Sequence, residues 1–175
     1  MQKIRTNDPK YTVLDGSNRQ MQGSRIEMIA QQCMGNTSIT EIDLRSNGFD
    51  ADGLYALVQA LKTMPNVAKL NLRGNTCRNE GVEALAEFLK VNKSITELNL
   101  NENNLGSPGA KCIADALKVN TTLTFVDLSL NYIDDEGGKA IAEALDANTT
   151  LKVLNMSGNE IEDKELRKKC RSRKM

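Results

Sequence analysis

The chain has 175 residues, 39% of them apolar, with neither Trp nor His, and its 23 basic residues balance 23 acidic ones. The absence of His excludes catalysis by a Ser/His or Cys/His pair and removes the commonest zinc ligand. This length and apolar content predict a single domain whose core needs no cross-links.

The cysteines and the apolar runs bear on the compartment. Cys33, Cys77, Cys112 and Cys170 lack the paired spacing of a metal site, and such cysteines are typical of free thiols in a reducing environment. No apolar run has the length of a signal peptide or of a membrane span. We therefore expect a cytoplasmic protein with no metal or other cofactor.

The first 38 residues read as a degraded copy of the pattern that fills the rest of the chain. Tyr11, Leu14 and Gly16 match that pattern, and apolar spacing predicts a helix at about residues 22–34. Because the end of a repeat array exposes an apolar layer, we expect residues 1–38 to form an N-terminal cap.

One pattern then repeats five times with a period of 28 residues, which indicates a solenoid. The copies begin at Ile39, Val67, Ile95, Leu123 and Leu151. Each opens with a short apolar/polar alternation that predicts a strand, and continues with apolar residues three and four apart that predict a helix. Since successive copies run in the same direction, the strands should form a parallel sheet over residues 39–162.

Several polar and small residues recur at this period and are interpreted as architecture. The predicted helix N-caps are Asn79, Ser107, Asp135 and Asp163. The predicted left-handed turns after the helices are at Asn92, Asn120 and Asn148, which with Asn36 form four of the five glycosylation sequons. The glycines whose replacement should crowd the neighbouring layer are Gly53, Gly81, Gly109 and Gly137.

Residues 163–175 form the predicted terminal helix and a basic tail. Residues 164–174 hold seven basic side chains and one acidic one, so the rest of the chain is net acidic. The tail could contact nucleic acid or an anionic membrane. No aromatic residue is interleaved, so we favour a solvated end.

The five copies of LxxLxLxxNxIxxxGxxxLxxxLxxN resemble the leucine-rich repeats, and the 28-residue period with a full helix is similar to the ribonuclease-inhibitor-like subtype. The resemblance implies an α/β fold, a right-handed curved solenoid with a parallel sheet on its concave face and helices on its convex face. It also implies a ladder of side-chain hydrogen bonds after the strands. The ladder residues are Asn47, Asn75, Asn103, Asn131 and Asn159.

Side chains that alternate with the strand leucines should face the concave side, where we expect a protein partner to bind. Arg45, Lys69 and Arg73 form a basic corner, and Phe125 is an aromatic residue at a solvent-facing position. The other candidate contacts are Asn71, Glu97, Asn99, Asn101, Asp127, Ser129 and Asn155.

The function predicted from this pattern is a non-enzymatic, monomeric protein-binding module. Two alternatives come from families with similar repeats. The first is actin-filament capping of the tropomodulin type, since the length and basic final helix are similar. The second is GTPase activation of the Ran GTPase-activating type, in which the tail is acidic where this one is basic.

Overall fold

The computed structural model describes residues 7–171, with side chains as far as Cys170. Arg173 and Lys174 of the predicted tail lie outside this range. The strands are β1 Val13–Asp15, β2 Glu41–Asp43, β3 Lys69–Asn71, β4 Glu97–Asn99, β5 Phe125–Asp127 and β6 Val153–Asn155. The helices are α1 Ser24–Cys33, α2 Ala51–Leu61, α3 Arg78–Val91, α4 Gly106–Val119, α5 Asp135–Ala147 and α6 Lys164–Arg171.

The strands form one parallel sheet in chain order. Each strand is displaced by 28 residues from its neighbour, so that Leu70 pairs with Leu98 and Leu98 with Val126. Each of the helices α1 to α5 is the crossover that parallel pairing requires, and each helix packs against the helices of adjacent repeats. The α/β solenoid with a curved parallel sheet is therefore confirmed. The first strand, β1, pairs in the same register with β2.

The core lies between the sheet and the helices and repeats in layers. The central residue of β2, Ile42, is fully buried. Leu54 and Leu57 of the following helix are at most 1% exposed. Burying each such side chain contributes about 1.5–3 kcal/mol. Glycine lets the layers approach closely: a Cβ at Gly81 would lie 2.9 Å from the Cα of Ala51. The crowding predicted for the repeated glycines is confirmed at this position.

Asparagine side chains satisfy the backbone in the turns that follow the strands. The Nδ2 of Asn75 donates to the carbonyl oxygens of Leu72 and Leu44, at 2.8 and 3.1 Å. The Oδ1 of Asn131 accepts from the backbone N–H of Asn103 at 2.9 Å. The bond that Nδ2 donates to the preceding repeat recurs at each of the five turn asparagines, whereas the accepted bond is missing at Asn103.

A second set of asparagines satisfies the backbone after the helices. The Oδ1 of Asn120 accepts from the N–H groups of Thr122 and Leu123, and its Nδ2 donates to Leu89 at 2.7 Å. Asn92, Asn120 and Asn148 have extended backbones, so the predicted left-handed turns are wrong. The side chain, not the backbone conformation, explains why Asn recurs here. Asn120 and Asn148 are buried to within 3%, which fits a role in the turn.

The predicted N-caps are wrong at three of four positions because those helices begin earlier than the spacing indicated. Asp134, one residue before the predicted Asp135, accepts from the N–H groups of Glu136 and Gly137. Asp135 accepts instead from the backbone of the next turn, at Glu162 and Asp163. The two earlier predicted caps lie inside α3 and α4, whose N-cap residues are Cys77 and Leu105. Asp163 caps α6 through Glu165 and Leu166, as predicted.

Candidate functional site

Three rows of side chains cross the concave face because the strands stay in register. The first row is Val13, Glu41, Lys69, Glu97, Phe125 and Val153. The second row is Asp15, Asp43, Asn71, Asn99, Asp127 and Asn155. The third row, two residues further along each chain segment, is Ser17, Arg45, Arg73, Asn101, Ser129 and Ser157.

The second row has a structural role that the sequence reasoning missed. In every repeat its Oδ1 accepts from the backbone N–H two residues ahead, for example Arg73 to Asn71 at 3.2 Å and Ser129 to Asp127 at 2.9 Å. This contact is an Asx turn, which only Asp and Asn form well. The sequence carries a signal for these turns, because all six residues of the row are Asp or Asn. One oxygen of each is therefore occupied.

Two predicted contact residues of the third row are buried. Asn101 and Ser129 are 7% and 4% exposed, and the Nδ2 of Asn101 donates to the carbonyl oxygen of Ser129 at 3.1 Å. Their expected position on the accessible face is therefore corrected: the short polar side chains turn into the stack and bond to each other. The Oδ1 of Asn101 has no hydrogen-bond partner among the described residues.

The predicted basic corner contains two paired cations and one unpaired cation. Arg45 lies 3.4 Å from the carboxylate of Asp43, and Lys69 lies 3.1 Å from that of Glu97. The exposed side chain of Arg73 makes no ion pair with residues 7–171. Arg73 is therefore the member of the corner whose guanidinium is available to a partner.

Phe125 is half-buried at the first position of β5. It closes one side of a shallow concave pocket of about 180 Å³. Lys69, Glu97 and Asn99 line the same pocket. The ring thus lies beside the Lys69–Glu97 ion pair, with apolar and charged surface next to each other.

Leu130 and Tyr132 lie on the rim where β5 leads towards α5, and both have left-handed backbones with φ of 57° and 58°. They are 49% and 60% exposed. Large side chains are rare in this conformation, which costs roughly 1–2 kcal/mol per residue. At the position of Leu130 two other repeats carry Gly74 and Gly158, also at positive φ. The rim therefore keeps two exposed apolar side chains where the backbone favours glycine.

A family model described as Leucine Rich repeat matches residues 35–58, 63–86, 91–114, 119–142 and 147–164. The chain belongs to the leucine-rich repeat family. These repeats imply a protein-interaction function, and the ribonuclease-inhibitor-like subtype stays a prediction. Comparison with curated proteins by sequence gives no significant match.

Two solved structures resemble this leucine-rich repeat protein over most of its length. The structure of leiomodin-1 actin-binding site 2 is 26% identical, with a TM-score of 0.70, and the match covers 83% of this chain and 81% of that one. The C-terminal domain of tropomodulin from Caenorhabditis elegans is 21% identical, with a TM-score of 0.67, over 84% and 89% of the chains. The second likeness shows the fold alone.

The basic terminal helix of this leucine-rich repeat protein packs onto the solenoid. Cys170 is 1% exposed and lies 3.7 Å from the carbonyl oxygen of Gly138. Lys169 pairs with Asp146 of α5 at 2.6 Å, and the Nε of Arg167 donates to the carbonyl oxygen of Ile161. Two of the basic side chains are thus engaged within the fold.

No group of three or more Cys, Asp or Glu side chains within residues 7–171 is placed to hold a metal ion. None of the helices described there has both the length and the apolar content to span a membrane.

Proposed function

We propose that this leucine-rich repeat protein binds a protein partner through the concave face, centred on Arg73 and Phe125. The observation that carries the proposal is an unpaired Arg and a half-exposed Phe on the same side of a rigid sheet. They lie two strand spacings apart, about 10 Å across the sheet, and four residues apart along the strand direction, because Lys69 and not Arg73 is in register with Phe125. Arg and aromatic residues dominate binding hot spots, and a sheet holds them without a large ordering cost.

The remaining predicted contacts contribute around this centre. Lys69 and Glu97 form an exposed ion pair that a partner can exchange for intermolecular bonds, and Arg45, which pairs with Asp43, is about half exposed. Asn71 and Asn99 offer the side-chain N–H groups that their Asx turns leave free. The Nδ2 of Asn155 already donates to the Oδ2 of Asp127 at 3.1 Å, so these two residues must exchange that bond to contact a partner. Leu130 and Tyr132 extend the surface onto the rim.

The test is affinity capture with the Arg73→Glu/Phe125→Ala double variant. The matched control is Lys139→Glu/Val119→Ala, which makes a similar charge reversal and apolar truncation at exposed positions of the convex helices. We expect both variants to fold and only the concave-face variant to lose the proteins that the wild type captures. Recovery of the same proteins by the concave-face variant contradicts the proposal.

Actin is the partner that a specific observation favours. Leiomodin-1 actin-binding site 2 is 26% identical, and the match covers more than four fifths of each chain, so the two chains share a fold over a similar length. In an assay of pyrene-actin elongation at the pointed end, we expect the wild type to slow growth. Unchanged elongation removes capping of the tropomodulin type. GTPase activation stays a prediction that a GTP hydrolysis assay tests.

We also place the protein in the cytoplasm. All four cysteines are free, and three of them are buried. Unpaired thiols of this kind are usual where the environment is reducing.

A further inference from the structure

A second surface lies on the convex side, in a groove of about 740 Å³ between α2 and α3. Apolar side chains supply much of its lining. Phe88 forms part of it and is 7% exposed, whereas Tyr55 and Val91 at its edges are 57% and 74% exposed. Pockets of this volume accommodate the side chains of a bound ligand or peptide.

The groove exists because the first of the five repeats, which begins at Ile39, departs from the pattern. Met64 occupies the position held by Asn36, Asn92, Asn120 and Asn148 in the other repeats. It cannot form their Asx contacts, and Pro65 follows it. Helix α2 accordingly ends at Leu61, whereas a helix matching α3 would continue to residue 63. The missing half-turn leaves Val91 and neighbouring surface of α3 uncovered.

The charges around the groove point to the chemistry of its partner. Lys62 bonds to the amide oxygen of Gln59 at 3.2 Å, and Lys93 lies 3.4 Å from the hydroxyl of Thr121. Neither ammonium group pairs with a carboxylate among the described residues. Glu87, the acidic residue of the lining, is already paired with Lys90 at 2.5 Å. The groove therefore presents uncompensated positive charge beside apolar surface.

We propose that this groove binds an amphipathic helix of a protein partner whose apolar face is flanked by Asp or Glu. An apolar channel between two helices accepts side chains spaced at i, i+3 or i+4, and i+7. The acidic residues of the partner neutralise Lys62 and Lys93. This site is separate from the concave face, so both can be occupied at once.

The test uses a displayed library of helical peptides, selected on the intact chain. We expect enrichment of peptides that combine apolar residues at helical spacing with Asp or Glu. The Val91→Asp variant should bind them at least tenfold more weakly, and Lys62→Glu/Lys93→Glu should show a similar loss. The matched control is Val119→Asp. Val119 occupies the same repeat position on α4, is 54% exposed, and lies outside the groove lining.

Three results would overturn the proposal. These are a selection that enriches no peptide, enriched peptides that bind Val91→Asp as tightly as the wild type, and enriched peptides that are basic. Light scattering tests whether a second copy of the chain occupies the groove. If the wild type is a dimer and Val91→Asp is a monomer, that result also overturns the proposal of a helical partner. Binding of the selected peptides to the Arg73→Glu/Phe125→Ala variant should equal wild type, which separates this site from the concave face.

Discussion

The backbone N–H of Asn131 donates to the Oδ1 of Asn159 at 2.9 Å, and the Oδ1 of Asn131 in turn accepts from Asn103 at 2.9 Å. The same contact is missing one repeat earlier, where the Oδ1 of Asn103 has no partner among residues 7–171. The accepted bond of the ladder is therefore missing between the turns of Asn75 and Asn103, where only the bond from the Nδ2 of Asn103 to Leu72 remains. Steps of the ladder that look identical in sequence are unequal in hydrogen bonding.

This inequality predicts unequal costs for alanine substitution. Asn131→Ala removes two donated bonds and leaves the N–H of Asn103 without its acceptor. Asn103→Ala removes only donated bonds. Because a buried polar group without a hydrogen-bond partner costs about 1–3 kcal/mol, we expect Asn131→Ala to lower the free energy of unfolding by at least about 1 kcal/mol more than Asn103→Ala. Urea denaturation measures the difference, and equal losses would contradict the missing bond at Asn103.

Leu130→Gly should stabilise the fold while it removes a binding residue. Relief of the left-handed backbone gains about 1 kcal/mol, which raises the Tm by roughly 2–4 °C for a chain of this size. Glu102→Gly is the matched control, since Glu102 occupies the same repeat position with φ of 58° and is exposed. Both variants should melt at higher temperature, but only Leu130→Gly should weaken partner binding. A lower Tm for both would contradict the strain.

Asp134 should make stability depend on acid. The Ser107 hydroxyl and the N–H groups of Gly137 and Glu136 lower the pKa of Asp134 below its ordinary value. Its ionised form therefore stabilises the fold above the unfolded pKa of about 4, and this contribution is lost as the pH falls through the lower folded pKa. In melting curves recorded from pH 6 to pH 2, the Tm of Asp134→Ala should fall less with decreasing pH than the Tm of Asp52→Ala. Asp52 is an exposed acid in the first turn of α2. An equal fall of Tm in the two variants would contradict a stabilising role for the ionised Asp134 side chain.

Cys33 should make stability depend on alkali. Burial raises the pKa of the Cys33 thiol to about 11 from 9.0, so the unfolded chain loses its proton first and stability falls as the pH rises above 9. By pH 10 the loss from this thiol is about 1 kcal/mol. Urea unfolding in reducing buffer at pH 8, 9 and 10 should show a steeper decline for the wild type than for Cys33→Ala. Equal slopes would show that Cys33 does not contribute.

The repeat period predicted the strands, the helices and the sheet because one apolar pattern recurs wherever a layer must be filled. It did not predict the Asx turns of the second row, since Asp and Asn at a strand surface also fit a solvated binding face. The burial of Asn101 and Ser129 was missed because it depends on a bond between adjacent repeats. The strain at Leu130 was missed because the left-handed conformation recurs at a position that holds Ser46, Glu102 and Leu130 as well as glycines. The convex groove beside Met64 arises where one repeat departs from the others, and the repeat pattern does not indicate what such a departure exposes.

The most direct test of concave-face recognition is an equilibrium titration of the fluorescently labelled chain with actin. We expect the wild type and Lys139→Glu/Val119→Ala to bind alike, and Arg73→Glu/Phe125→Ala to bind more than tenfold more weakly, since truncation of a hot-spot residue costs about 2 kcal/mol or more. Absence of binding by the wild type would remove actin as the partner. Binding of the concave-face variant with wild-type affinity would contradict the proposed binding surface.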